Sequence, residues 1–269
     1  MSEFENTLFV IVLYKRKIED SQTYNSLVAE ARKEDCTLNA YIHDNSPEPQ
    51  NINSNESLNI LVYDHDSSNS GVSRAYNNAA KYAKSNKIDW IVIFDQDTTL
   101  PPGALVEYKK SLDNSTAEDK IFAPILKDGD KVVSPCRYIL HRGFHLNNVP
   151  SETVRLKDIS FLNSGLVVNA EFLIHVGGFD EELFYYSDHD FFYRIPKFLD
   201  KVTLIDICLE HSLSSGVNEK SAATINRLKM LKLASARMSK KYGSLFPLMW
   251  FYFRCAKLVV LNRDISYLV

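Results

Sequence analysis

Glycine is scarce in this sequence. Only nine occur in 269 residues, and none completes a G-x-x-x-x-G-K-[ST] phosphate loop or a G-x-G-x-x-G dinucleotide fingerprint, which argues against a P-loop kinase and a dehydrogenase. The four cysteines, Cys36, Cys136, Cys208 and Cys255, have no paired spacing, so neither a zinc cage nor a disulfide framework is indicated, in keeping with a reducing cytoplasm. The opening "MSEFENTLFVIVLY" carries two glutamates where a secretory signal is positively charged, and no signal peptide is expected. A membrane-spanning run is missing too. In "YGSLFPLMWFYFRCAKLVVL", Arg254 and Lys257 interrupt the apolar stretch well short of the ~20 residues a helix needs to cross a bilayer.

What the chain does have is core-forming material. With 45% hydrophobic and 24% charged residues, it can fold as one large domain or as a domain with an appendage. The net charge of −3 hides a segregation. From Val217 to Val269 there are ten Lys/Arg against two acids, which leaves −11 for the rest. A largely acidic surface repels phosphate backbones, so nucleic acid is not an expected partner.

The first half alternates short apolar runs with helix-compatible stretches. Leu8 to Leu13, Leu38 to His43, Leu58 to Tyr63 and Trp90 to Phe94 read as strands; Ile18 to Lys33 and Ser73 to Lys84 read as helices. That rhythm predicts a parallel sheet covered on both faces, with ligands bound beyond the carboxyl ends of its strands. Ile121 to Val168 reads as further strands with a turn at "KDGDK". A helix follows from near Ala170 to the Gly177-Gly178 pair, and another after Asp188. Ile225, Leu228, Leu231, Met238 and Tyr242 mark one face of a basic helix that Gly243 ends, and Pro247 opens a last one.

Chemistry concentrates at the predicted strand ends. In "WIVIFDQDTTLPPG", Asp95 and Asp97 stand two apart, so an extended chain points both carboxylates to one side and Gln96 elsewhere. Two carboxylates so close need compensation; a hard cation such as Mg²⁺ or Mn²⁺ supplies it and also binds nucleotide phosphates, whereas a simple turn is the plainer reading. "NSGVSRAYNNAAKYA" sets Asn69 and Gly71 before a helix, where N–H groups favour anionic ligand groups, although an ordinary capped helix looks the same. Asp44 in "IHDNS" can take hydrogen bonds from a base or ribose, or close a turn.

These motifs are joined by "FLNSGLVVNAEFLIHVGGFDEELFYYSDHDFFYR", Phe161 to Arg194. Asp44, the N-x-G-x-x-x-A-x-N pattern from Asn69 to Asn77, the Asp95–Asp97 triplet, "SG", "GGFDEELF" and an acid-rich helix start occur in the order seen in glycosyltransferase family 2. From Thr7 to about His211 the sequence resembles an inverting GT-A enzyme of that family, most like its bacterial rhamnosyltransferases. The resemblance implies an α/β fold, a GT-A (Rossmann-like), mostly parallel sheet flanked by helices, with a C-terminal helical extension. It implies a metal-dependent transfer of a sugar, L-rhamnose from dTDP-rhamnose or a hexose from a UDP donor, onto a glycan or lipid-linked acceptor.

Residue by residue, the resemblance assigns Tyr14, Asp44, Asn69, Gly71, Asn77 and Asp95 to the nucleotide sugar, and Asp97 and His211 to the Mg²⁺ or Mn²⁺. Asp188 becomes the base that deprotonates the acceptor, with Gly178, Phe179, Asp180 and Asp190 on the acceptor side. The family's frequent Glu-Asp pair is here Asp188-His189-Asp190, and on a helix only one of two such acids faces a cleft. Asp188 is the favoured one, although it equally suits a helix cap. Arg194 is expected to pair with the acids of its own segment.

Two rivals stay in view. A sugar nucleotidyltransferase needs a glycine- and arginine-rich loop after its first strand, and "LYKRKIED" has no glycine; a non-catalytic carbohydrate-binding scaffold would keep the fold alone. The expected organisation is a catalytic domain over 1–212 and a basic, aromatic helical extension over 213–269. That extension either rests on an anionic membrane surface, at the cytoplasmic face of the cell membrane, or packs on the catalytic domain or in a homodimer interface.

Overall fold

The computed structural model describes residues 4–146, 148–149, 152–211 and 222–269. Its strands are β1 (Thr7–Leu13), β2 (Leu38–Asp44), β3 (Leu58–His65), β4 (Trp90–Asp95), β5 (Thr98–Thr99), β6 (Ile121–Asp128), β7 (Lys131–Ser134), β8 (Cys136–Ile139), β9 (Arg142–His145), β10 (Thr153–Arg155), β11 (Ile159–Ser160), β12 (Leu166–Asn169) and β13 (Lys201–His211). Its helices are α1 (Gln22–Lys33), α2 (Val72–Ser85), α3 (Ala104–Asp113), α4 (Ala170–His175), α5 (Ser187–Arg194), α6 (Ala222–Tyr242) and α7 (Phe246–Asn262).

The main sheet runs β10-β13-β6-β12-β4-β1-β2-β3, with β5 paired to β13 and β7 to β6. The four strands read from the sequence, β1 to β4, are parallel to one another, and β12 lies antiparallel between β4 and β6. Alternation of side chains across the strands splits the core into two layers. Leu8, Val10, Ile91, Ile93, Leu166 and Val168 meet α2 and α4 on one face. Phe9, Ile11, Val92, Phe94 and Val167 meet α1 and α3 on the other. Burial on both faces is why these strands read as unbroken apolar runs.

Local signals set the helix ends. Ser21 caps α1 by accepting from the Tyr24 N–H at 3.2 Å, and Asn169 caps α4 by accepting from Phe172 at 2.9 Å, each satisfying an otherwise orphaned donor. The chain enters α2 through Gly71 at φ +87°, a backbone state that side chains other than glycine's resist. Beyond 212–221, the stretch that contains the anticipated domain boundary and lies outside the described residues, α6 and α7 form a hairpin around Leu228, Phe251, Cys255, Leu258 and Tyr267. Met238 and Ala234 of α6 pack on Leu183. The basic helix is therefore docked on the sheet-bearing part of the chain. Of the cations expected to face a membrane, Arg237 pairs with Asp180 and Glu182, and Lys241 with Asp180 and Asp190. No helix among the described residues is long and apolar enough to cross a membrane.

Candidate active site

The carboxyl ends of β1 and β4 lie side by side and open into a cavity of about 390 Å³. Tyr14, Asn69, Gly71, Asp95, Asp97, Asp188 and His211 all line it. Parallel neighbours put all their strand ends at one edge, which is how residues nearly 200 positions apart converge there.

The acids at the end of β4 are not alone. One ligand atom each from Asp95, Asp97 and His211 lies within 4.8 Å of the others, and His211 Nδ1 is 3.8 Å from Asp97 Oδ1. The strand does not continue through them as the sequence reading assumed. The chain turns at Gln96 and Asp97, so Gln96 also lines the cavity, where its Oε1 accepts from the Tyr14 N–H at 2.9 Å. After the turn, Thr98 and Thr99 pair antiparallel with His211 and Glu210. That two-residue pairing brings the histidine to the acids. Thr98 Oγ1 lies 3.0 Å from His211 Nδ1 and 2.6 Å from Ser164 Oγ, and Ser164 Oγ accepts from the Asp95 N–H at 3.0 Å. Buried Tyr76 donates its hydroxyl to Asp95 Oδ1 at 3.0 Å.

Burial raises the pKa of Asp95; the nearby His211 offsets this in part, while Asp97 and Asp188 push it further up. Negative charge is thus crowded here beyond what the surrounding donors compensate. Asn163, in the same cavity wall, has a buried side-chain oxygen with no hydrogen-bond partner among the described residues. Two carboxylates, an imidazole and a free amide oxygen suit Mg²⁺ or Mn²⁺.

Helix α5 separates the two acids of "SDHD". Asp188 lines the cavity, and its only hydrogen bond among the described residues is from its neighbour's N–H, to Oδ1 at 2.7 Å. Asp190 is fully buried and faces away: it accepts from Arg194 Nε at 2.8 Å and from the Tyr242 hydroxyl at 2.7 Å, and pairs with Lys241 at 2.6 Å. The acceptor-side assignment of Asp190 is therefore corrected: it anchors α6. Arg194 forms the ion pair expected of it.

Other assignments from the resemblance also shift. Asp44 is completely buried outside the cavity, and its carboxylate accepts from the Ser46 N–H, Gln50 Nε2 and the Tyr63 hydroxyl, each at 2.9 Å. It closes a turn, and the adjacent Asn45 lines the cavity instead. Asn77 does not face the cavity either. Its Oδ1 accepts from the Phe179 N–H and its Nδ2 donates to the Phe179 carbonyl, both at 2.9 Å, so it clamps α2 to the "GGFD" turn. Gly178 sits at φ +66°, and a Cβ there would overlap the Asn77 amide. Phe179 is a core ring stacked on Phe191, with centroids 4.5 Å apart, and Asp180 is held by Arg237 and Lys241. These three residues build the wall behind the site. Tyr76, Thr98 and Asn163 were given no role, and Ser164 entered only within the "SG" motif, because a hydroxyl or amide inside an apolar run or a turn does not show its partner without a fold.

Comparisons with known proteins agree with this geometry. The model of Glycosyl transferase family 2 matches residues 22–148. The dTDP-rhamnosyl transferase RfbF of Shigella flexneri is 26% identical over 215 residues, 77% of this chain and 69% of its own. Over residues 22–148 the chain is similar to glycosyltransferase family 2. Among solved structures, GalNAc-T7 with UDP, GalNAc and Mn²⁺ has a TM-score of 0.57 at 13% identity, covering 91% of this chain. The chain spans about half (53%) of GalNAc-T7's length. Staphylococcus aureus TarS 1-349 with UDP-GlcNAc has a TM-score of 0.51 at 13% identity, covering 89% of this chain and 67% of that one. Both share the GT-A fold, a mostly parallel sheet flanked by helices. The family 2 match ends before Asp188 and His211, so those two rest on position in the cavity.

Proposed function

We propose that the chain is an inverting, metal-dependent glycosyltransferase that moves L-rhamnose from dTDP-rhamnose to a hydroxyl of a glycan or lipid-linked glycan in bacterial surface polysaccharide synthesis. One observation carries the reading: Asp188 faces the same cavity as the Asp95–Asp97–His211 cluster. The name of the Shigella relative supports the choice of donor.

Displacement at an anomeric carbon needs a base on the incoming hydroxyl and stabilisation of the departing diphosphate. Asp188 takes the hydroxyl proton as the new C–O bond forms, and the electrons of the broken bond leave on the diphosphate. Asp95, Asp97 and His211 would hold Mg²⁺ or Mn²⁺. When bound, such an ion neutralises the negative charge growing on the leaving group. Tyr76 and Ser164 orient Asp95, and Thr98 orients His211. Tyr14, Asn45 and Asn69 line the remaining wall, where a nucleoside would lie, and Gly71 lets the backbone come close to it. The protein works at the cytoplasmic face of the membrane, with the outward side of α7 towards the lipid.

Incubating the purified chain with dTDP-rhamnose, UDP-hexoses and GDP-hexoses, with and without EDTA, tests this by release of free nucleotide. Metal-dependent release from dTDP-rhamnose above the others is the expected result. Preference for a UDP-sugar would replace the donor, and silence with every donor in the presence of Mn²⁺ would favour a non-catalytic scaffold.

A further inference from the structure

A second, larger cavity of about 860 Å³ adjoins the first, and Tyr186 belongs to the lining of both. It lies between the β8–β9 hairpin and α7. Helix α5 connects the two chambers through consecutive residues: Asp188 faces the smaller one and His189 the larger. His189 is fixed there by Ser160 Oγ, 2.7 Å from its Nδ1, and by stacking on Tyr138 with centroids 4.6 Å apart.

The chemistry of the two linings is opposite. The smaller cavity has three carboxylates, whereas the larger has none and is walled by Arg142, Arg254 and Lys257. None of these cations is paired with a carboxylate among the described residues; Arg142 instead lies over the Trp250 ring, 4.5 Å from its centre. Trp250 is held in place by donating its indole N–H to the Leu140 carbonyl at 2.9 Å. Unpaired cations at a concave surface favour an anion, and guanidinium groups favour phosphate oxygens in particular. The rim is apolar and open to solvent. Phe253 and Leu261 line it while remaining 59% and 66% exposed, and the neighbouring Val260 is 76% exposed.

Resting on the transferase reading, we propose that this second cavity is the acceptor subsite, and that it binds a glycan carried on the phosphate or diphosphate ester of an apolar chain. Arg142, Arg254 and Lys257 hold the ester, and the chain leaves across Phe253 and Leu261. The glycan passes Tyr186 and brings its hydroxyl to Asp188. A neutral free sugar acceptor would leave both the cations and the apolar rim without a partner, and an acidic one would still leave the rim bare.

Farnesyl diphosphate, used below its micelle concentration, is a suitable probe, with binding followed by calorimetry on the full chain. Saturable binding is expected, with farnesol and inorganic pyrophosphate each at least about tenfold weaker, because one lacks the charge-assisted bonds and the other the apolar contact. In Arg254→Gln/Lys257→Gln the affinity for farnesyl diphosphate should fall at least about tenfold, and in Leu261→Asn it should fall while pyrophosphate binding is unchanged. Equal affinity in the double variant would overturn the proposal. So would farnesol or pyrophosphate binding as well as farnesyl diphosphate, or phosphatidylglycerol vesicles competing as effectively, which would make the region a general membrane surface. Titration with dTDP-rhamnose in the same instrument separates the two readings. A chain that takes the nucleotide sugar but not farnesyl diphosphate sinks this inference and leaves the transferase reading standing; the reverse sinks the donor reading, and with it the acceptor role of a cavity that would still bind the lipid diphosphate.

Discussion

Replacing each acid of "SDHD" by its amide should give opposite phenotypes. Asp188 is half-buried, and its only hydrogen bond among the described residues comes from the adjacent N–H, so Asp188→Asn preserves shape and most contacts. Its melting temperature should match the wild type within about 2 °C, equivalent to less than ~1 kcal/mol in a chain of this size. The variant cannot accept the acceptor's proton, and loss of a general base costs about 10²–10⁴ in rate. Asp190→Asn removes the charge that Arg194, Lys241 and Tyr242 share in a fully buried position. Leaving such cations uncompensated costs about 3–5 kcal/mol, so its melting temperature should fall by of the order of 10 °C. Its α6 should also loosen, because Lys241 loses one of its two anchors. Calorimetric melts together with initial rates of nucleotide release at saturating donor separate the cases. A wild-type rate in Asp188→Asn, or wild-type stability in Asp190→Asn, would refute the division of labour derived from α5.

Three further outcomes follow from the same geometry. Asp97→Ala should abolish the Mn²⁺-dependent part of nucleotide binding in calorimetry while leaving the melt without metal unchanged or slightly higher, since it removes a like charge beside Asp95; equal affinity with and without Mn²⁺ in the wild type would count against the cluster. Because the Asp95 pKa is raised in the folded state, its protonated form stabilises the fold at low pH, and this contribution is lost as pH rises through the raised value. Measured in EDTA, the melting-temperature difference of Asp95→Asn over wild type should grow with pH and shrink when Mn²⁺ is added to the wild type; a difference constant with pH would contradict the assignment. Gly178→Ala combines a left-handed backbone with overlap on the Asn77 amide, and should cost about 2–4 kcal/mol in urea unfolding. Adding Asn77→Ala should relieve part of that cost, and strictly additive losses would show that the two residues do not meet.

The parallel half of the sheet was legible because its strands are buried on both faces. Leu8 to Leu13 and Trp90 to Phe94 could not be placed at a surface, so their apolar runs mark strands directly. Helix ends at Gly177 and Gly243 were equally readable, because positive φ at both positions is a demand that only a few residue types meet. The site was legible in part. Asp95, Asp97, Asp188 and His211 stand out as charged or titratable groups at element ends, and all four reach one cavity. Asp44 and Asn77 look the same in sequence, yet the first is consumed by Gln50 and Tyr63 and the second by the backbone of Phe179. A polar side chain at a strand end does not declare whether its partner is a ligand or the protein.

The sequence by itself determined the alternation of strands and helices, the chemistry gathered at the strand ends and the excess of cations after residue 217, since each depends on local composition and spacing. The tertiary structure decided which acid of α5 faces the cavity, how His211 comes to lie beside Asp97, and which cations of the last two helices are already neutralised. Those outcomes depend on pairings such as Thr98 with His211 and Asp190 with Lys241. Contacts between residues 50 to more than 100 positions apart exist only once the chain has folded.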